Sequence, residues 1–256
     1  MSEPALDLHA DELVLHGRIT VASNATFLGS IGDLPVVYKP VAGERPLWDF
    51  PDGNLAHREV AAYLVSEALG WDVVPETWLR DGPHGVGMVQ RWCEVDGGQE
   101  AVTIVPEGRV PEGYLHVFDG IGADDRPVSL VHEDSGGLRR MALFDVVVNN
   151  ADRKGGHVLE MADGHRYGID HGICFHRQPK LRTVLWGWAG ERLTAEEAAE
   201  LTRLRAALDA DLGEELAAYL ARWDLEALLR RCDRLLAEGE LPYPDGDWPA
   251  IPWPPF

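Results

Sequence analysis

The residues best suited to chemistry stand together in one stretch of the chain. Asp152, Arg153 and Lys154 directly follow an apolar run, and His157 comes five residues after Asp152. A short hairpin follows and ends at Asp170. The functional prediction starts from this group of two carboxylates, two cations and one imidazole.

The hairpin is predicted to bring His157 and Asp170 together. Asp163-Gly164 is a strong signal for a two-residue turn whose residues adopt positive φ. Such a turn would place His157 directly opposite Asp170 on the same face, with Cβ atoms roughly 4.5–5.5 Å apart. The two side chains would then be close enough to share one metal ion. A slip of one residue in the register would move one of them to the other face.

Composition limits the classes of partner. The chain has 256 residues and a formal net charge of −20, with ordinary hydrophobic (45%) and charged (26%) fractions. Phosphate backbones are bound through clustered Lys and Arg, so we expect no nucleic acid partner. The same charge argues against adsorption to an anionic membrane through a broad basic face.

The termini and cysteines favour a cytoplasmic protein. The acidic N-terminus has no apolar segment typical of a signal peptide, and no apolar run approaches the ~18–20 residues that cross a bilayer. The three cysteines form no CxxC pair, which favours reduced thiols over a zinc ribbon or a disulfide framework. We therefore predict a cytoplasmic protein without a transmembrane segment.

The predicted strands and helices around these candidate reactive residues indicate an α+β fold. Strands are predicted over residues 11–41 and 71–95, with a helix between them that begins after Asn54 and ends at Gly70. Residues 99–137 read as irregular, with a short helix near 114–120. Further helices are predicted at 138–149, 195–211, 213–221 and 224–237. The Pro-rich and Trp-rich tail is interpreted as an extended strap over the body, with a Pro-rich ligand motif as the alternative.

Three segments carry a resemblance to a known family. The first is Val37-Tyr38-Lys39-Pro40, and the second is residues 58–77 around Arg58-Glu59-Val60. The third consists of two neighbouring loops, residues 150–154 and 167–172. Their order and spacing resemble the phosphatidylinositol 3-/4-kinase superfamily. The similarity is closest to type II phosphatidylinositol 4-kinases and to bacterial phosphatidylinositol kinase-like proteins. It covers roughly residues 20–92 and 138–176.

The resemblance implies a two-lobed protein kinase-like fold and a nucleotide site. Residues 1–95 would form a β-rich N-lobe with one helix, and residues 96–256 a mostly helical C-lobe. Lys39, held by Glu59, would contact the phosphates of ATP. A loop made of Ser23, Asn24, Ala25 and Thr26 would cover the phosphates. A linker made of Val89, Gln90, Arg91 and Trp92 would contact the adenine base.

The same resemblance implies roles in phosphoryl transfer. Asp152 would orient or deprotonate the acceptor hydroxyl, and Arg153 or Lys154 would neutralise the γ-phosphate. Asp170 would hold Mg²⁺ or Mn²⁺, with His157 as a second metal ligand. The basic, Trp-bearing 177–188 loop would contact the phosphoryl acceptor. A protein or small-molecule acceptor is favoured over a lipid, because the Cys-rich insert of type II lipid kinases is missing from this sequence.

One departure from the family leaves two alternatives open. The family pattern has Asn five residues after the catalytic Asp, where this chain has His157. Imidazole suits Mn²⁺ or Zn²⁺ better than Mg²⁺. A nucleotide-binding pseudokinase is therefore the first alternative, and a metal-dependent hydrolase using His157, Asp170 and His171 is the second.

Overall fold

The computed structural model of the protein describes residues 6–20, 24–45, 47–50, 54–95, 98–244 and 249–256. Within these ranges it contains ten β-strands and five α-helices, so the predicted α+β class is confirmed. Ser23 lies outside the described residues, as do residues 96 and 97 at the predicted lobe boundary. The division of the chain between residues 95 and 96 stays a prediction.

Five antiparallel strands form the first sheet, in the order β1-β2-β3-β5-β4. They are β1 Leu13–Arg18, β2 Phe27–Ile31, β3 Leu34–Pro40, β4 Thr77–Gly82 and β5 Gly85–Arg91. Side chains alternate between the two faces of a strand. Tyr38 and Val89 are fully buried in a small core on one face. Lys39, the next residue after Tyr38, therefore projects from the other face.

Helix α1, Leu55–Leu69, connects β3 to β4 and has the capping residues that the sequence predicts. The side chain of Asn54 accepts the backbone N–H of His57 at 3.4 Å. Gly70 ends the helix with a φ of 70°, a left-handed conformation that glycine adopts without strain. These two local signals explain why both ends of α1 were predictable.

A second antiparallel sheet lies where the sequence indicated irregular structure, so that prediction was wrong. Its strands are β6 Val102–Pro106, β7 Tyr114–Ile121 and β8 Pro127–Glu133, in the order β6-β8-β7. The register of β7 against β8 shifts between His116 and Phe118, which breaks the alternation typical of a strand. The middle of β8, residues 129–132, is buried throughout and has no alternation to detect.

The remaining helices are α2 Gly136–Val148, α3 Ala195–Leu208, α4 Asp211–Leu216 and α5 Arg222–Glu238, and a short hairpin pairs β9 Val158–Glu160 with β10 Arg166–Gly168. Helix α2 is the centre of the largest hydrophobic core, and its Leu138, Met141 and Phe144 are fully buried. Thr194 and Glu197 form the predicted capping box at the start of α3. The C-terminal end of α2 leads directly into the loop that carries Asp152.

The tail lies on the body, which confirms the strap interpretation for residues 249–256. Ala250 accepts hydrogen bonds from the Thr183 N–H at 3.0 Å and from the indole of Trp186 at 2.9 Å. The N–H of Gly155 donates to Pro255 at 2.8 Å. No described helix is long and apolar enough to span a bilayer.

Candidate nucleotide-binding and phosphotransfer site

Three charged side chains from separate parts of the chain meet at one point. Lys39 Nζ, near the end of β3, donates to Glu59 Oε1 of α1 at 2.8 Å and also to Asp170 Oδ1 just after β10. The second oxygen of Glu59 accepts the backbone N–H of His171 at 2.8 Å. The first sheet, α1 and the hairpin loop are therefore tied together at this cluster.

Mutual contacts keep the cluster charged. Burial alone would lower the pKa of Lys39, but the carboxylates of Asp170 and Glu59 raise this pKa above its ordinary value. The Lys39 ammonium in turn holds the pKa of Asp170 well below its usual range. Both groups therefore carry their charges at neutral pH. The side chain of Asp170 is still 45% exposed, so its carboxylate is accessible to a ligand.

Helix α1 presents Glu59 to the cluster because its first turn is fixed. Both oxygens of Glu44 accept backbone N–H groups, from Leu55 at 2.9 Å and from Ala56 at 2.8 Å. A carboxylate there also matches the positive end of the helix dipole. Ala56 packs with the fully buried Met88 of β5. Sequence reasoning missed the role of Glu44, because it lies in the preceding loop and has no local signature.

Arg153 is a buried support of the loop that carries Asp152, which contradicts its predicted contact with a γ-phosphate. Its side chain has no exposed surface and forms an ion pair with the equally buried Asp145 at 3.0 Å. Its guanidinium also donates to the carbonyls of His157 and Ile169, both at 3.1 Å, and to His171 Nε2 at 2.6 Å. These contacts occupy N–H donors of the guanidinium group, which is fully buried.

Asp152 and Lys154 are the residues of this loop that solvent reaches. Their side chains are partly exposed, and Lys154 Nζ lies 3.6 Å from Asp152 Oδ2. The backbone of Asp152 is held by Asn150, whose Oδ1 accepts the Asp152 N–H at 3.0 Å. Asn150 is itself anchored to Asp145 Oδ1 at 2.9 Å. Asp152 is thus an accessible carboxylate on a fixed backbone.

The predicted register of the hairpin was wrong by one residue. Gly168 pairs with Val158, and the N–H of Ile169 donates to His157 O at 3.0 Å, so Ile169 rather than Asp170 is opposite His157. The turn has a three-residue loop that ends in Gly164 with a φ of 89°, instead of the predicted two-residue loop.

His157 and Asp170 still meet, through backbone geometry that the pairing argument did not include. Asp170 has a φ of 60° and so turns out of the strand direction. Its Oδ2 lies 3.4 Å from His157 Nε2. The predicted closeness of the two side chains is confirmed, but for a different reason.

The tautomer of His157 makes this pair suitable for a cation. His157 Nδ1 lies 2.9 Å from the carbonyl oxygen of Asp152, which can only accept, so Nδ1 carries the proton. Burial lowers the pKa of His157, although Asp170 opposes this shift. The neutral ring therefore directs the lone pair of Nε2 toward a carboxylate oxygen. Two acceptors that face each other fit a divalent cation, and a nitrogen–oxygen pair favours Mn²⁺ over Mg²⁺.

His171 does not fit the hydrolase alternative. Its side chain is fully buried, and its Nε2 accepts a hydrogen bond from Arg153. Burial holds the pKa of His171 well below its ordinary value, so it is a neutral structural acceptor. In the part of the chain that the structure describes, no three His, Cys, Asp or Glu side chains are grouped to hold a metal ion. The hydrolase alternative therefore loses one of its three proposed ligands.

The described part of the predicted phosphate loop packs against the turn that follows β3. The N–H of Ala25 donates to Gly43 O at 3.2 Å, and Asn24 Oδ1 accepts the N–H of Arg45 at 3.0 Å. Thr26 is buried, and its hydroxyl donates to Asn24 O at 3.4 Å. In this conformation the Ala25 amide is already satisfied, so binding a phosphate there would require it to exchange partners.

Residues 89–91 of the predicted adenine linker are part of β5, and Val89 is on the wrong face for this role. Lys39 is opposite Met88, whereas Val89 is opposite Tyr38 in the separate core of the sheet. Val89 thus points away from the Lys39 face, which contradicts its assignment. Gln90 is on the Lys39 face, where its amide donates to Thr77 Oγ1 at 2.9 Å.

The last two linker residues lie at the end of the sheet. The N–H of Arg91 donates to Glu76 O at 2.9 Å, and the N–H of Trp92 to Pro35 O at 3.0 Å. Both side chains are exposed. Contact of Gln90, Arg91 or Trp92 with an adenine base stays a prediction.

The 177–188 loop contains both structural and accessible residues. Trp188 is buried and donates to Asp134 Oδ1 at 3.0 Å, and Lys180 is buried in an ion pair with Asp49 at 2.7 Å. Arg177 is exposed, with its guanidinium 5.6 Å from the ring centre of Trp223. A cavity of about 280 Å³ lies beside this part of the loop. The predicted contact with an acceptor is therefore reduced to the first residues of the loop.

Comparison with known proteins shows a relative that matches nearly the full chain. The Mycobacterium tuberculosis protein Rv2133c is 50% identical over 258 residues, which cover 96% of this chain and 92% of that protein. No protein-family profile matches the chain.

Other similarities are more distant. Arabidopsis thaliana phosphatidylinositol 4-kinase gamma 7 is 28% identical over 62% of this chain, and gamma 6 is 29% identical over 57%. Each match covers 25% of the plant protein. Among solved structures, the Helicobacter pylori proinflammatory kinase CtkA aligns with 92% of this chain and 95% of its own, with a TM-score of 0.47 and 13% identity.

Proposed function

This chain belongs to the family of the Mycobacterium tuberculosis protein Rv2133c, and we propose that it is an ATP-dependent phosphotransferase of the phosphatidylinositol 3-/4-kinase-like type. The observation that carries the proposal is Lys39, held between Glu59 and Asp170. His157 connects Asp170 to the backbone of Asp152, because its Nε2 faces the Asp170 carboxylate and its Nδ1 donates to the Asp152 carbonyl oxygen. Partial similarity to plant phosphatidylinositol 4-kinases supports the same activity.

Each residue has a role that matches what phosphoryl transfer needs, namely positioning and charge neutralisation. Lys39 would bind the nucleotide phosphates, and Glu59 would keep its ammonium in place. Asp170 and His157 would hold a divalent cation, which supplies positive charge against the phosphate oxygens. Asp152 would accept the proton of the acceptor hydroxyl. Lys154 takes the phosphate-neutralising role alone, because Arg153 is buried.

The acceptor is proposed to be a protein or a small molecule. It would approach past the exposed Arg177 at the start of the 177–188 loop. Because Lys180 and Trp188 of this loop are buried, we assign the contact to the first residues of the loop alone.

His157 favours a second candidate function, which is nucleotide binding without transfer. It occupies the position where the resemblance expects an oxygen ligand, and its metal-facing atom is a nitrogen. A site that holds the nucleotide but places the cation differently would serve as a regulatory module. Transfer and binding must therefore be measured separately.

One experiment with two readouts tests the proposal. The full chain is incubated with γ-labelled ATP and Mn²⁺ or Mg²⁺, with a cell lysate and a lipid extract as parallel sources of acceptor. Melting temperature is measured with the same nucleotide and metals. We expect ATP with Mn²⁺ to raise the melting temperature and to label an acceptor. Asp152→Ala should lower the transfer rate by about 10²–10⁴-fold and keep the melting shift, because it removes a proton acceptor only.

Two further variants complete the design. Asp170→Asn should abolish the melting shift, since it removes a charged metal ligand. Asp33→Asn is the matched control, because Asp33 is an exposed turn residue between β2 and β3. A melting shift without label transfer would establish the second candidate function. No shift with any nucleotide and metal would contradict both functions.

A further inference from the structure

A second cavity, which none of the three residues of the cluster at Lys39 lines, is lined by four arginines. Its volume is about 230 Å³, and its walls come from the end of α2, the start of the 177–188 loop, α5 and the first residues of the tail. The arginines are Arg177, Arg230, Arg231 and Arg234. In a chain with 43 acidic and 23 basic residues, this is a local excess of positive charge.

No carboxylate lines this cavity among the described residues. The neighbouring cavity of about 280 Å³, which Arg177 also lines, is different, because its two other basic side chains of Lys or Arg are paired with carboxylates. There Lys180 pairs with Asp49, and Arg58 pairs with Asp224, both at 2.7 Å. In the arginine cavity Arg234 alone has a described carboxylate partner, Glu238 at 3.4 Å, which does not line the cavity. Four arginines therefore line one small space that has no carboxylate among its described lining residues.

Arg231 has an unused donor at this place. Its Nε donates to Val147 O at 2.8 Å and its Nη1 to His176 O at 3.4 Å, which fixes the side chain between α2 and the loop. Its Nη2 is buried and has no hydrogen-bond partner in the described structure. A buried charged donor without a partner costs free energy, which an anion would recover. Burial lowers the pKa of Arg231 to about 10, so the group still carries its charge at neutral pH.

Apart from Asn149, the rest of the lining is mostly apolar. Leu181, Trp186 and Leu235 contribute side chains, and Pro242 and Tyr243 lie at the side of the tail. The space is smaller than the ~300–1,000 Å³ of typical drug-sized sites, so it fits a small organic group such as one ring. Guanidinium groups match phosphate oxygens with two parallel hydrogen bonds.

We propose that this cavity binds a small organic phosphate, meaning a phosphate monoester of an apolar or aromatic group. The guanidinium groups of Arg230, Arg231 and Arg234 bind the phosphate, and the apolar wall contacts the organic group. The proposal does not depend on the phosphotransferase function, because Arg230, Arg231 and Arg234 belong neither to the cluster at Lys39 nor to the proposed acceptor contact at Arg177.

Titration calorimetry on the full chain tests this site with phenyl phosphate as the probe, and with inorganic phosphate and phenol as comparisons. Phenyl phosphate should bind at one site and at least tenfold more tightly than either comparison. Arg230→Gln and Arg234→Gln should each weaken binding about tenfold, since each removes a charged hydrogen-bond donor. Both residues are exposed on α5, so these variants keep the fold.

Two controls make the result specific. Arg222→Gln changes another exposed arginine of α5, which does not line the cavity, and should leave the affinity unchanged. Asp170→Asn should also leave it unchanged, which separates this site from the proposed nucleotide site. The proposal is overturned if phenyl phosphate does not bind, or if inorganic phosphate binds equally well. It is also overturned if Asp170→Asn weakens the binding of phenyl phosphate. The same holds if Arg230→Gln and Arg234→Gln leave that binding unchanged.

Discussion

At the residue scale, burial distinguishes two adjacent cations that the sequence treats as equivalent. Arg153 and Lys154 both follow Asp152, and either could face a phosphate by residue type alone. The structure buries Arg153 against Asp145 and leaves Lys154 accessible. The difference depends on Asp145, eight residues earlier in α2, and on His171 from the hairpin loop. No local pattern contains these long-range partners, so the sequence could not make the distinction.

The buried pair leads to a prediction about stability. Arg153→Met should lower the free energy of unfolding by about 3–5 kcal/mol, because Asp145 would keep its burial without a counter-charge. Urea unfolding at pH 7 measures the change. Arg126→Met is the matched control, since Arg126 pairs with Asp124 on the exposed surface. Its effect should stay within about 0.5 kcal/mol. Equal effects of the two variants would contradict the supporting role of Arg153.

At the scale of elements, the sequence predicted those whose signals are local. Helix α1 is bounded by Asn54 and Gly70, and α3 starts at a capping box, so each end is specified within a few residues. The second sheet was missed because a bulge in β7 and full burial of β8 remove the alternation that identifies strands. Elements whose formation depends on contacts between residues distant in the sequence can be identified only from the tertiary structure.

The hairpin at the site shows how a correct conclusion came from a wrong register. The three-residue loop that ends in Gly164 shifts the pairing by one position, which would separate His157 from Asp170 in a regular ladder. The left-handed backbone of Asp170 returns its side chain to His157. A non-glycine residue in this conformation is uncommon, and sequence alone gave no reason to expect it.

The contact between the tail and Gly155, just after the loop that carries Asp152, leads to a prediction at the element scale. A Cβ added to Gly155 would overlap the ring of Phe256, whereas a Cβ at Gly156 would meet open space. Gly155→Ala should therefore destabilise the protein by about 0.5–1 kcal/mol, which is less than overpacking costs in a closed core because the Phe256 ring is 47% exposed. Gly156→Ala, one residue further, should have little effect. Urea unfolding of both variants gives the comparison.

A double variant identifies the cause of that effect. Phe256→Ala removes the ring that the added methyl group would meet. In the Phe256→Ala background, Gly155→Ala should cost much less than in the natural chain, which appears as a coupling energy between the two positions. Additive effects would mean that Gly155 is sensitive for a reason other than the tail.

At the scale of the whole molecule, His132 connects the second sheet to the rest of the C-terminal part. It lies in β8 and is fully buried, with its ring 4.4 Å from that of Trp188. Its Nε2 accepts the backbone N–H of Gly187 at 3.0 Å, and its Nδ1 faces Glu133 O at 3.0 Å. A ring that accepts at one nitrogen must be neutral. Protonation would therefore break the contact between the sheet and the 186–188 turn.

The direction of the pH effect follows from this neutral state. Burial lowers the pKa of His132 in the folded chain below its ordinary value of about 6.5. The unfolded chain then binds the proton more readily, so stability from His132 is present above pH ~6.5 and is lost as the pH falls toward the folded pKa. Each fully coupled proton changes the free energy of unfolding by about 1.4 kcal/mol per pH unit.

We expect His132→Gln to reduce this loss. Urea unfolding at pH 7.5 and pH 5.5 should show the natural chain less stable at the lower pH, and the His132→Gln variant should lose about 1 kcal/mol less. Gln keeps an acceptor for the Gly187 N–H but does not titrate in this range. His9→Gln is the control, because His9 is exposed near the N-terminus and should leave the pH dependence unchanged. The same pH dependence in the natural chain and in His132→Gln would show that protonation of this ring does not govern the acid sensitivity of the fold.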